Sequence, residues 1–282
     1  MAIDCQKRRG CSGPVLHSES EGGFTLIELL VVIAIIALLL AILIPGLRMA
    51  KAVSKKMACQ ANLKQLGYAW SMYLEHYDGY FYRSSNADIK YGGWIGQVNW
   101  SPRPLNNFVG LDKNLGDEKQ ANVFCCPSDT GGSPWAPMPK DKAYHYFGTS
   151  YESNLFLIRP KNCMTPDFLV KTKDLYTNIC GRIEQLHITE VTASSAQVIL
   201  MGDQGWWHQW RLMTPANQQK WDQLYKSYAE WHIKPDSYNL AFLDGHTAFV
   251  KIRRGYYVTN DYSVIPFKDL YGLANQVQGE EP

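Results

Sequence analysis

The chain has 282 residues, with 28 Lys and Arg against 26 Asp and Glu, and its net charge of +2 is too small to recommend a nucleic-acid or other polyanionic partner. At 46% hydrophobic, 13% aromatic and 19% charged residues it has ample material for a packed core and too little charge for a disordered, self-repelling chain. A mean hydropathy of −0.26 excludes several membrane spans, but not a single one.

Residues 1–23 are polar and electrically balanced, with Lys7, Arg8 and Arg9 offset by Asp4, Glu19 and Glu21. Residues 24–44 then read FTLIELLVVIAIIALLLAILI, with one charge, Glu28, and no polar residue from 29 to 44. At about 1.5 Å per residue this stretch makes a helix of roughly 30 Å, the hydrocarbon thickness of a bilayer. It lacks the polar stripe that a soluble core helix turns to solvent. The run exceeds the roughly 7–15 apolar residues of a secretory signal peptide, and Pro45-Gly46-Leu47-Arg48 follows it instead of a small-x-small cleavage site. A plain signal anchor explains the length but not Glu28. A charge within hydrocarbon costs about 2.5–3.5 kcal/mol on insertion scales, so this carboxylate is expected to face a partner. A cut between Gly23 and Phe24 would create an α-amino group one helical turn away, and the amine of one subunit could neutralise the Glu28 of its neighbour.

The stretch GFTLIELLVVIAIIALLLAILIP, residues 23–45, resembles the N-terminal cleavage and methylation segment of type IV prepilins and type II secretion pseudopilins. The resemblance implies a cleaved leader of residues 1–23, cutting after Gly23 by a membrane prepilin peptidase, N-methylation of Phe24, a subunit-register role for Glu28, and Pro45 closing the apolar run. It also implies assembly with copies of itself and other pilin-like subunits through inner-membrane machinery. Because Arg48, Lys51, Lys55 and Lys56 follow the span, a cytoplasmic N-terminus and a periplasmic or extracellular head rest on the resemblance and not on charge counting.

Beyond Pro45, apolar residues at Leu47, Ala50, Val53, Met57, Leu63, Leu66, Trp70, Tyr73 and Tyr77 recur mostly by threes and fours, so the helix is expected to continue to about Asp78-Gly79. Pro45 with Gly46 predicts a kink or a locally melted turn. The domain reading is a leader at 1–23, a long helix at 24–78 whose first part (24–44) spans the membrane, and a globular β-rich head at 79–282. Within the head, residues 123–129 are a short apolar run ended by a turn, and residues 144–154 (YHYFGTSYESN) read as a β segment. Residues 197–201 are a strand, and residues 238–243 and 246–253 are two strands around a two-residue Asp244-Gly245 turn. The expected fold class is therefore α+β and pilin-like: a long N-terminal helix, membrane-spanning in its first half, packed on a C-terminal antiparallel sheet.

The head also resembles a large-headed, planctomycete-type subgroup of prepilin-like proteins. The residues concerned are the Cys126-Pro127-Ser128-Asp129 turn, the Ser150-to-Asn154 element, Gly202-Asp203 after a strand, and a late His232 followed by Asp244-Gly245.

Asp129, Asp203 and Asp244 sit at turns or strand ends, where carboxylates either cap their own turns or gather around a hard cation; some pseudopilins use calcium here, so a structural calcium ion is one expectation, with no other cofactor. His145, His208, His232 and His246 occur without HExxH, a CxxC pair or Gly-x-Ser-x-Gly, so no catalytic residue is expected and the protein is read as non-enzymatic. Trp206, Trp207, Trp210, Trp221 and Trp231, with Tyr225 and Tyr228, either bury as anchors of an insert or form a stacking surface for sugars or proteins, and burial is the expectation. The stacking alternative corresponds to a membrane-anchored periplasmic binding protein, for carbohydrates for example, with a pilin-like anchor. Loss of Cys5 and Cys11 with the leader leaves Cys59, Cys125, Cys126, Cys163 and Cys180, an odd set. Cys163 with Cys180, or one of Cys125 and Cys126 with either, is the expected disulfide, zinc is the alternative for these four, and Cys59 is expected to be a packed unpaired thiol.

Overall fold

The apolar run and the spacing that follows it form one helix, α1 (Leu26–His76), in the computed structural model, which describes residues 25–82, 91–98, 103–112, 117–158, 173–183, 186–211 and 213–278. Helix formation continues through Pro45, so the expected melted turn does not occur. Leu, Ile and Ala on either side are good enough helix formers to carry the chain across the one missing backbone donor. The helix stops where expected, at Asp78 and Gly79, both with positive φ (50° and 83°), and the Gly79 N–H donates to Leu74 O at 2.7 Å.

The chain divides into two compact units, residues up to Arg48 and residues from Met49 onward. In the first, every described residue is exposed, including the whole apolar run. In the second, α1 buries a stripe of Cys59, Leu63, Leu66, Trp70 and Tyr73, three or four residues apart, as one helical face requires. The stripe begins later than the periodicity suggests. Leu47, Ala50, Val53 and Met57 are exposed, as is Tyr77, so the apolar spacing continues through residues of α1 that are not buried.

Three short helices and a strand lead to the centre of the head: α2 (Ala143–Phe147), β1 (Tyr151–Ser153), α3 (Leu155–Ile158) and α4 (Lys173–Arg182). Then come β2 (Ile199–Asp203), α5 (Gly205–Trp210), α6 (Pro215–Lys220), a π-helical turn at Trp221–Tyr225, α7 (Lys226–Ala229), β3 (Ser237–Phe242), β4 (Thr247–Lys251) and α8 (Tyr271–Val277). The strands form one antiparallel sheet in the order β1-β2-β3-β4, with Tyr151 opposite Asp203 and Ser237 opposite Lys251. β1, β2 and β3 are buried along their length. Lys56 lies over the Phe249 ring at 4.8 Å, bringing α1 to the β3–β4 hairpin, while the Trp206 indole of α5 donates to Glu152 O of β1 at 3.1 Å.

Two local expectations are corrected. Residues 144–154 are not one strand: the aromatic-rich half winds into α2, which Gly148 ends at φ 82°, and only the second half pairs as β1. The β3–β4 loop is not a two-residue turn. The Gly245 N–H donates to Phe242 O and the Phe242 N–H to His246 O, both at 2.9 Å, and of Asp244 and Gly245 only Gly245 has positive φ (86°). This is a three-residue loop ending in a left-handed glycine, in which Asp244 avoids the conformation that a two-residue turn would impose on it.

Candidate assembly surface and head sites

The N-terminal surface is built by a cap and an apolar cylinder. Thr25 precedes the first helical residue, and its backbone N–H and hydroxyl donate to Glu28 Oε2 at 2.9 and 2.8 Å, while the Glu28 N–H donates back to Thr25 Oγ1 at 3.3 Å. This is a reciprocal capping box with the Thr-x-x-Glu signature, a local signal that reading Glu28 only as a partner-facing charge overlooks. The acid therefore satisfies the first turn of its own helix while remaining exposed. Downstream, Leu26, Ile27 and the large residues through Ile44 expose between 43% and 79% of their surface. A contiguous apolar face of that size on a single chain marks an interaction surface with lipid or protein, and by length and composition this helix can cross a membrane. Pro45 lies within α1; Gly23 and Phe24 lie outside the described residues.

In the head, the structure connects the short elements singled out in the sequence. Asp129 is buried, and its carboxylate accepts from the N–H groups of Gly131 (2.9 Å), Ala143 (3.1 Å) and Tyr144 (2.8 Å) and from Ser150 Oγ (2.8 Å). Ser150 Oγ in turn accepts from the Cys126 N–H at 3.0 Å, so one serine ties the Cys-Pro-Ser-Asp turn to the start of β1. Burial raises the Asp129 carboxyl above its ordinary value despite the four donors. Asn154, also buried, donates to Ile199 O and Val264 O, both at 2.8 Å, clasping β2 to the segment that follows β4.

Asp203 Oδ2 accepts from the Asn239 N–H at 2.7 Å and lies 3.2 Å from His232 Nε2. Asp244 is exposed and caps its own loop by accepting from the His246 N–H at 3.0 Å. Slight desolvation opposes, and the His246 contacts outweigh, so its carboxyl is held below the ordinary range. Asp129, Asp203 and Asp244 do not form a shared ligand cluster among the described residues. Among the described residues, the side chains that gather ligand atoms are Cys59, Cys126 and His232.

Cys59 is the clearest departure from expectation. It is not an unpaired thiol but is disulfide-bonded to Cys126, with Cα atoms 5.0 Å apart. The helix register that buries Leu63 and Leu66 carries Cys59 to the Cys-Pro-Ser-Asp turn, and Asn62, one turn on, donates to Cys125 O at 2.9 Å. Cys126 is thereby unavailable to Cys163 or Cys180. The expected pairing of Cys163 with Cys180 involves Cys163, which lies outside the described residues.

The tryptophan-rich insert is mostly buried, as expected: Trp206, Trp207, Trp210 and Trp221 are each no more than 3% exposed, and Trp231 is half-buried with its indole donating to Gly131 O at 2.9 Å. Tyr225 is buried and Tyr228 is 40% exposed. A cavity of about 190 Å³ beside the insert is bordered by Trp135, His208, Arg211, Lys220, Trp221 and Tyr225.

Comparison with known proteins agrees with this division. Residues 20–44, which include Gly23, Phe24 and Glu28, match the model of the prokaryotic N-terminal methylation motif. The chain is 30% identical over 142 residues to the type IV wide pilus major component PilA4 of Thermus thermophilus, covering 50% of this chain and 95% of that protein. It is also 30% identical over 113 residues to the type IV major pilin protein PilA of Myxococcus xanthus, covering 40% of this chain and 46%, or about half, of that relative. No solved structure gives a significant match.

Proposed function

This chain belongs to the type IV pilin family, and we propose that it is a non-enzymatic structural subunit of a type IV pilus-like or type II secretion filament, held in the inner membrane by α1 until it assembles. The observation that carries this reading is the exposed apolar face of α1 with the capped acid Glu28 at its start.

Each fully buried Leu, Ile or Val side chain is worth about 1.5–3 kcal/mol relative to water. A face of this length is therefore stable only in hydrocarbon or against other apolar helices, and moving from one to the other costs little apolar free energy. The same transfer changes the environment of Glu28. After cleavage following Gly23 by prepilin peptidase and methylation of Phe24, the new cationic amine lies one turn from Glu28. An amine from the adjacent subunit then offsets the cost of burying the carboxylate and favours one axial register. The apolar face continues past Pro45 through Leu47, Met49, Val53 and Met57, giving neighbouring subunits further contact. In this arrangement the N-terminus is cytoplasmic before assembly, and the head is periplasmic and then extracellular.

The alternative of an anchored sugar-binding protein is not favoured, because the rings that would form its platform are packed in the core. Two variants test the assembly reading. Gly23→Ala should accumulate as an uncleaved precursor. Glu28→Leu should be cleaved yet give few filaments, and wild-type filament yield from it would refute the register role.

A further inference from the structure

We propose that the head, while Cys59 and Cys126 are still thiols, binds a divalent cation of the zinc class through Cys59 Sγ, Cys126 Sγ, His232 Nε2 and Asp203 Oδ2, and that the disulfide and the metal are alternative states of one buried site.

Four elements converge there: α1, the Cys-Pro-Ser-Asp turn, the loop after α7 and the end of β2. The ligand atoms of Cys59, Cys126 and His232 all lie within 4.8 Å of one another and all three residues are buried. His232 Nε2 is 3.9 Å from Cys126 Sγ and 3.2 Å from Asp203 Oδ2, and the His232 and Asp203 side chains are each 1% exposed. Tetrahedral zinc with bonds of about 2.3 Å to sulfur and about 2.0–2.2 Å to nitrogen and oxygen places sulfur about 3.6 Å from nitrogen and nitrogen about 3.4 Å from oxygen. The observed separations fall within a few tenths of an ångström of these. Replacing the sulfur–sulfur bond by a metal requires the two thiolates to move apart, the Asn239 amide, which contacts Nε2 at 2.7 Å, to turn away from it, and the Asp203 carboxylate to close in as the fourth ligand.

The hydrogen bonding around His232 supports the same site. Nε2 faces both an acceptor, Asp203 Oδ2, and the Asn239 amide nitrogen at 2.7 Å, and one neutral tautomer cannot satisfy both. Among the described residues, Asp203 Oδ1, Asn239 Oδ1 and His232 Nδ1 are buried without a hydrogen-bond partner. Protein groups alone leave this polar cluster unsatisfied, as at sites built for something more. Two thiolates with an imidazole select zinc-class over alkaline-earth cations. The Asn239 N–H on Asp203 Oδ2 orients the carboxylate from behind.

The exchange balances simply. Binding of M²⁺ to the dithiol forms two sulfur–metal bonds and releases two protons. Oxidation by a disulfide-bearing acceptor removes two electrons from the two sulfurs, joins them and releases M²⁺, while the acceptor takes two protons and becomes two thiols. Until then the metal holds Cys126, rather than the adjacent Cys125, in register with Cys59.

The test uses the full-length chain in detergent micelles, reduced with a phosphine in metal-free buffer and titrated with Co²⁺, with near-ultraviolet circular dichroism of the same samples reporting the fold. One equivalent should produce sulfur-to-cobalt charge-transfer absorption and intense tetrahedral ligand-field bands, both bleached by Zn²⁺, and the oxidised chain should give neither. Cys59→Ser should remove most of the charge-transfer absorption. His232→Gln and Asp203→Asn should shift the ligand-field bands and weaken Co²⁺ binding at least tenfold, while Cys125→Ser and Cys180→Ser should leave the spectrum unchanged. Absence of the bands in the reduced wild type, folded or not, overturns the proposal. So does an unaltered spectrum in His232→Gln, or its loss in Cys125→Ser or Cys180→Ser.

Discussion

The carboxylate of Glu28 reaches back one turn to Thr25 and accepts from both its backbone N–H and its hydroxyl, so the acid at the start of the assembly helix caps that helix within its own subunit. Loss of an N-cap side chain costs about 1 kcal/mol, roughly a fivefold change in the opening of the first turn. Thr25→Ala should speed amide hydrogen exchange over residues 26–29 in micelles by about that factor, and Thr25→Ser should not. Equal protection in the two variants would show that the box contributes nothing.

The Cys59–Cys126 disulfide spans 67 residues and ties α1 to the head. On the chain-entropy account a loop of that length contributes about 4 kcal/mol. The double variant Cys59→Ser/Cys126→Ser, unfolded by urea in the presence of a chelator, should lose stability of that order, whereas an unchanged midpoint would mean that helix packing alone holds α1 in place.

Gly202 lies in β2 where an added Cβ would meet Asn239 O at 2.8 Å and collide with Leu240 Cδ2. The leucine end can move but the backbone oxygen belongs to the adjoining strand. Gly202→Ala should cost about 1–3 kcal/mol through displacement of β3, read as a lower melting temperature of the full chain.

Asp129 is held by four donors and yet has its carboxyl raised by burial. Because the folded state binds this proton more tightly than the unfolded chain does, the contribution present at low pH is lost as pH rises through the folded value. The stability of the wild type minus that of Asp129→Asn should therefore decline between pH 4 and pH 7. A difference that grows with pH would show that the hydrogen bonds outweigh burial.

Much of this architecture is legible in the sequence because it is local. An apolar run with one acid and a following helical period predict α1 and its end, β2 overlaps the apolar run at 197–201, and β3 and β4 fall on the two alternating segments near the C-terminus. The Thr25–Glu28 box is local too, and its Thr-x-x-Glu signature can be read from four consecutive residues. The rest depends on contacts far apart in the chain. Nothing in the local sequence says that Cys59 meets Cys126, since connectivity is set by the helix register that Leu63 and Leu66 impose. The Tyr-His-Tyr-Phe segment has strand-like composition but winds into α2, whose last residue, Phe147, accepts from Arg103 Nη2 at 2.6 Å, while Gly92 O and Ile95 O, far from α2 in the sequence, accept from the same guanidinium.

The most direct test of the central claim is the intact mass of this chain recovered from sheared surface filaments. The account predicts residues 24–282 carrying one methyl group on the Phe24 amine, since removing the 23-residue leader from 282 residues leaves 259. A full-length 282-residue chain confined to the inner membrane and absent from filaments would contradict it.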